Sequence, residues 1–230
     1  MIITSQGFGH FTQGLNNQDF GMETDRMLLV LDGCSGAKYA EVGTRLFGQL
    51  LSKKEEYDNP EKFEEKVKET FEDLLQMFGK YYESDDEFEN DFIMENLLFT
   101  IIACFDAGDK YIVKMLGDGY IFTQNNQGRL SYMKFSYGKC PPYFAYRYCP
   151  SVDMQNLQFK TYEFEKQFFP RVGIGSDGIL PIVKGEVTGI DPIIAVGNEI
   201  VLATLIKGQR QRFYDDVTIG FFLGGSENGN

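Results

Sequence analysis

The chain has 230 residues, with 22 Lys and Arg against 34 Asp and Glu, a formal net charge of −12 at pH 7. Its 43% hydrophobic and 15% aromatic content supplies a sizeable core and excludes a disordered chain. The acidic balance excludes the basic footprint of a nucleic-acid binder and opposes an anionic membrane surface, so no nucleic-acid or membrane partner is expected. An anionic substrate would need positive charge from elsewhere, and a bound metal is the obvious source.

Met1–Gln6 reads as a short strand rather than a leader, and the longest apolar run, Asn96–Phe105, is too short to span a membrane. Met27–Leu31 is a continuous apolar run, the pattern of a strand buried on both faces. From Ala37 the period turns helical, with Val42, Leu46, Phe47, Leu50 and Leu51 on the expected buried face. Asn59 as N-cap and Pro60 at the first helical position open a second helix, along which Phe63, Val67, Phe71, Leu74 and Phe78 form an apolar stripe. The acidic stretch Glu83–Asp91 reads as a solvated loop or helix end, with a docking site as the alternative.

From Leu97 the period shortens to that of strands, punctuated by Gly108-Asp109, Gly117-Asp118-Gly119 and Asn125–Gly128. Such short turns predict antiparallel neighbours. A Pro-containing loop, Ser136–Pro150, is followed by further strands, and a last helix is expected over Asn198–Lys207. No repeat or linker divides the chain, which predicts one domain over 1–230. Helices early and late around a block of strands predict an α+β fold of sheets with helices on their outer faces.

The chemistry lies in aspartates at the ends of apolar runs. Asp32-Gly33 follows MLLVL, Asp118-Gly119 follows YIVKML, Asp177-Gly178 follows RVGIGS, and Asp215-Asp216 opens VTIGFF, while Asp19 sits in the loop before Phe20. Carboxylates at such places are costly unless they are paired or hold a cation. An oxygen-only donor set favours Mg²⁺ or Mn²⁺, and a single His with four Cys in no CxxC spacing leaves no usual zinc set. Sparse cysteine reads as reduced thiols in a cytoplasm. For Asp118 alone a hairpin turn and a metal ligand stand about even, and Asp215-Asp216 read alone is a solvated strand-edge charge.

In order, Gly9-His10 with Asn17-Gln18-Asp19, Leu29–Gly36, Gly117–Gly119, Gly175–Gly178 and Asp215–Thr218 resemble the motif series of the metal-dependent protein phosphatases of type 2C, most of all their short bacterial branch. The resemblance spans nearly the whole chain. It implies a four-layer αββα sandwich, two central antiparallel sheets flanked by helices, with two Mn²⁺ or Mg²⁺ ions at one end. By position Asp32 would bridge both ions, the Gly33 carbonyl would bind one, and Asp177 and Asp215 would complete the other. Asp118 would help Asp177 hold a third, weaker ion, and Asp19 would orient the reacting water. The implied activity is Ser/Thr phosphoprotein hydrolysis by direct attack of metal-activated water on phosphorus, with no covalent intermediate. A phosphorylated protein, a cognate Ser/Thr kinase, a cytoplasmic site and a monomeric state go with it.

The sequence departs from the family pattern in three places. Gly14 stands where eukaryotic members have a phosphate-gripping Arg, Gln18 where Glu is frequent, and Cys34 where a His proposed as general acid is frequent. His10 is the candidate proton donor in its place, and Lys38 a candidate phosphate contact. A thiolate at Cys34 would be disfavoured beside several carboxylates, which argues against a Cys nucleophile. The departures give weight to an alternative, a weak or inactive 2C-like domain that binds phosphoproteins or regulates. A small-molecule phosphohydrolase using the same metals is a third reading. The stretch Ile182–Val196, between the last two motifs, is placed where loops often gate access.

Overall fold

The computed structural model describes residues 1–79, 86–137, 140–149, 152, 157–187 and 198–222. Its centre is β3 (Met27–Gly33), which pairs antiparallel with β4 (Phe99–Asp106) from Met27 opposite Phe105 to Gly33 opposite Phe99. The unbroken apolar run of β3 has a simple cause: its two faces enter different cores. Met27, Leu29 and Leu31 pack under helices, whereas Leu28 and Val30 pack against the second sheet.

The first sheet has the order β2-β3-β4-β5-β8, adding β2 (Phe20–Glu23), β5 (Lys110–Leu116) and β8 (Lys160–Glu165). The second has the order β1-β10-β9-β6-β7. It is built from β1 (Ile2–Ser5), β10 (Val217–Phe221), β9 (Arg171–Gly175), β6 (Gly119–Gln124) and β7 (Leu130–Phe135). Every pairing is antiparallel. The sheets share a core of Leu28, Val30, Ile102, Cys104, Val113, Met115, Ile121, Val172 and Ile174.

Outside the first sheet lie α2 (Ala40–Leu51), α3 (Phe63–Gly79) and α4 (Asp86–Asn96), and outside the second lie α5 (Leu180–Val183) and α6 (Glu199–Gly208). The short α1 (Phe8–Gln13) sits between β1 and β2 in the chain. The expected four layers are therefore present. No helix among the described residues is long and apolar enough to cross a membrane, and none of the four cysteines is in a disulfide.

Several local expectations change. The chain does not turn back as a hairpin at Gly117–Gly119: β5 and β6 belong to different sheets, and the crossing uses positive φ at Gly117 (108°) and Gly119 (139°). The turn reading of Asp118 is overturned by that crossing. On α2 the buried face is Ala40, Gly43, Thr44, Phe47, Gly48 and Leu51, while Val42 is exposed. Small residues mark this face because other segments press on it: a Cβ on Gly43 would lie 1.8 Å from the Asn96 carbonyl oxygen.

α3 begins at Phe63, three residues later than expected. Asn59 still opens the turn that leads into it, its Oδ1 accepting from Glu61 N at 2.9 Å and its carbonyl from Phe63 N at 2.9 Å. Of the two forms expected for the acidic stretch Glu83–Asp91, loop or helix end, the second holds from Asp86 onward, where α4 starts; residues 83–85 lie outside the described residues. Of Ile182–Val196, residues 188–196 fall outside them likewise, and the part before begins in α5.

Candidate metal centre

Four of the singled-out aspartates sit where strands of both sheets start or end, and Asp19 sits in the loop that leads into β2. Asp32 is the penultimate residue of β3, and Asp118 lies in the crossing from β5 to β6. Asp177 follows β9 by one residue beyond Ser176, and Asp215 precedes β10. The Asp32 side chain accepts a hydrogen bond from Asp177 N at 3.3 Å, tying the two sheets together. Gly178 allows this closeness, since a Cβ there would fall 1.8 Å from the Asp216 carbonyl oxygen.

The electrostatics show convergence. Asp32 is held well above the usual carboxylate range, first by burial and then by Asp19, Asp177, Asp215 and Asp118. Asp19 is raised in the same way by burial, then Asp216, with the Ser176 and Thr218 hydroxyls opposing and Asp215 adding to the rise. Burial, then Asp215 and Asp118, push Asp177 up to about 6. Asp118 and Asp215 are raised mainly by burial, and His10 partly offsets the rise at Asp215. All five expected side chains are thus brought together, and each resists carrying its charge.

Asp216 behaves differently. It is 2% exposed, not the solvated strand-edge charge expected. Its Oδ1 accepts from Gly7 N at 2.7 Å, and its Oδ2 accepts from Gln18 N at 2.6 Å and meets His10 Nδ1 at 2.8 Å. It pins the whole 7–18 segment against β10. His10 Nε2 then lies 3.9 Å from Asp215 Oδ1. Among the described residues, His10, Asp215 and Asp216 are a group whose ligand atoms lie within 4.8 Å of one another. Both Asp216 oxygens and His10 Nδ1 already have partners, and Asp215 Oδ1 accepts from Asp216 N at 2.8 Å, so the atoms left for a cation are His10 Nε2, the second Asp215 oxygen and the acidic neighbours of Asp215.

The donor set fits a hard divalent cation. It is carboxylate-rich, and two buried acceptors in the same loop, Asp19 Oδ2 and Gln18 Oε1, have no hydrogen-bond partner. Gln18 Nε2 donates to the Ala37 carbonyl at 3.5 Å. Gly33 is buried in a tight cradle, where a Cβ would lie 2.8 Å from the Gln18 carbonyl oxygen.

The remaining sequence candidates divide. Gly14 is the left-handed C-cap of α1 and faces open space. Lys38 is exposed, with its ammonium 4.8 Å from the Tyr39 ring centroid and drawn toward Glu95. Cys34 meets the hydroxyl of Tyr143, a residue that sequence reasoning missed. Tyr143 is 6% exposed and is raised by burial, then Cys34, and then by Asp118 and Asp32. Lys134 on β7 was missed too, and it is the cation whose charge lowers both Asp118 and Asp177. Neither carries a local motif, so only tertiary register reveals them.

The chain matches the sequence profile described as Protein phosphatase 2C over residues 6–179, well over half its length, and belongs to that family. Similar solved structures include a bacterial serine phosphatase, at 14% identity and TM-score 0.62 over 96% of this chain and 95% of that one. The serine/threonine phosphatase Stp1 from Staphylococcus aureus is 14% identical, with TM-score 0.60 over 96% and 92%. The serine/threonine phosphatase PstP/Ppp of Mycobacterium tuberculosis is 19% identical, with TM-score 0.59 over 95% of each chain. At these identities the likeness shows the fold. A search of curated protein sequences gives no match.

Proposed function

We propose that the protein is a metal-dependent Ser/Thr phosphoprotein phosphatase holding two Mn²⁺ or Mg²⁺ ions. The observation that carries this reading is the convergence of Asp19, Asp32, Asp118, Asp177 and Asp215 from separate strands and loops, each carboxyl raised by burial and most by the others. Such a cluster is stable in its ionised form only around cations. Asp32, the Gly33 carbonyl, Asp177 and Asp215 are the proposed ligands, and Asp118 beside Asp177 is the pair a third, weaker ion would use. When bound, the ions supply an acidified water and neutralise the phosphoryl oxygens.

The chain's own residues do the rest. Asp19, buried beside the Ser176 and Thr218 hydroxyls, orients the attacking water. His10 is held by Asp216 through Nδ1, which leaves Nε2 as the nitrogen that can hand a proton to the departing serine or threonine oxygen. Cys34, tied to Tyr143, serves no nucleophilic role. A phosphoprotein substrate made by a Ser/Thr kinase, a cytoplasmic location and a monomeric state complete the proposal.

The second reading, a regulatory phosphoprotein-binding domain, is favoured by one observation: the Gly14 position holds no cation, and the candidate phosphate contact, Lys38, turns to Tyr39. Hydrolysis of a phosphothreonine peptide and of para-nitrophenyl phosphate, with and without Mn²⁺, separates the two. Turnover that requires Mn²⁺ and is lost in Asp177→Asn supports the phosphatase. Mn²⁺ binding without turnover of either ester supports the binding domain.

A further inference from the structure

The register of the second sheet puts one basic residue beside the acidic pair at its end. Tyr120 of β6 lies opposite Lys134 of β7 on one side and opposite Gly175 of β9 on the other. Tyr120 follows Asp118 by two residues, and Gly175 precedes Asp177 by two. Directly opposed residues of neighbouring strands project to the same face of a sheet. Lys134 therefore stands on the face of Tyr120, at the end of the sheet where Asp118 and Asp177 emerge.

The Lys134 side chain is exposed, and among the described residues its ammonium has no hydrogen bond or ion pair at contact distance. Its long stem leaves the charge free to reach the pair. In a chain with 34 acidic and 22 basic residues, a lysine placed beside two crowded carboxylates has a clear electrostatic consequence. It satisfies part of the demand for positive charge that a metal would otherwise meet.

We propose that Lys134 is the resident cation of the Asp118–Asp177 pair, standing in for a third divalent ion so that the centre holds two ions rather than three. The inference rests on the metal-dependent reading, and it makes Lys134 a positioning residue for Asp118. The physics is competition: an ammonium about 6 Å from a divalent ion weakens its binding roughly tenfold even at the dielectric constant of water, and more in a drier site.

Equilibrium dialysis of the full chain against Mn²⁺ counts the ions directly. The wild type and Lys134→Arg are expected to bind two. Lys134→Met and Lys134→Gln are expected to bind a third, about tenfold tighter than any residual third binding in the wild type. Asp118→Asn added to Lys134→Met is expected to remove it. Three ions on the wild type, or two on both uncharged variants, would overturn the inference while leaving the two-ion reading intact. No Mn²⁺ on the wild type would overturn both.

Discussion

Two acidic neighbourhoods, adjacent in the chain at Asp215 and Asp216, meet opposite fates. Asp216 is almost fully buried, yet it accepts from two backbone N–H groups and meets His10, so its charge is matched. Asp32, Asp19 and Asp177 are crowded by other carboxylates, whereas Asp215 accepts from Asp216 N at 2.8 Å and lies near His10, and Asp118 has Lys134 for a neighbour; burial still raises all five. Residue type is shared, but the Asp215 side chain is 45% exposed where Asp216 is buried, and the supply of donors differs. One carboxylate is finished structure, whereas the five form a site still wanting positive charge.

The largest effect expected from breaking this contrast is on the crowded side. Asp32→Asn should lower Mn²⁺ affinity by more than about a hundredfold, because even outer partners of metal ligands cost 10–100-fold. The same substitution should raise the melting temperature of the metal-free protein, since it removes a repelling group. Calorimetric titration and thermal unfolding read the two effects, and a loss of metal-free stability would place Asp32 with Asp216 instead.

Asp216→Ala should do the reverse. It leaves the Gly7 and Gln18 amides and His10 buried without their partner, at a cost of about 3 kcal/mol or more, measurable by urea unfolding without metal. An undestabilised variant would mean that the 7–18 segment is held by something other than this carboxylate.

The pH dependence sharpens the comparison. An unfolded Asp ionises near 3.8 and folded Asp177 near 6, so between these values the native state keeps a proton that the unfolded chain has released. The Asp177 contribution to the stability of the metal-free protein should then fall as pH rises from about 4 to about 6, and flatten above that range. Asp19 and Asp32 act with the same sign. Thermal melts in chelator across this window test it, and Asp177→Asn should make the slope shallower. The smallest effect is expected from Lys38→Met, because its ammonium lies over Tyr39: KM for a phosphopeptide should change less than about twofold.

Much of this was legible in the sequence, for identifiable reasons. Met27–Leu31 announces a strand buried on both faces, and Asp32, Asp177 and Asp215 announce themselves by ending or opening apolar runs where no hairpin register follows. Asp118 was ambiguous because Gly-Asp-Gly closes hairpins locally, and only the change of sheet after β5 decides it. The α2 face was misread because its contacts are made by Gly43 and Gly48, which carry no hydrophobic signal. Asp216 was misread, and Tyr143 and Lys134 were missed, for a deeper reason. Asp216 finds its partners some two hundred positions away in the chain, and Tyr143 and Lys134 reach the acids only through tertiary packing and strand register.

The proposed cation site of the five carboxylates is open to one decisive measurement, Mn²⁺ titration calorimetry of the wild type near pH 6 in two buffers of different ionisation enthalpy, because metal must displace the protons these raised groups retain. Saturable binding with net proton release is expected, and release that shrinks in Asp177→Asn. Saturable binding with no proton release, or no binding at all, would contradict a cation site there.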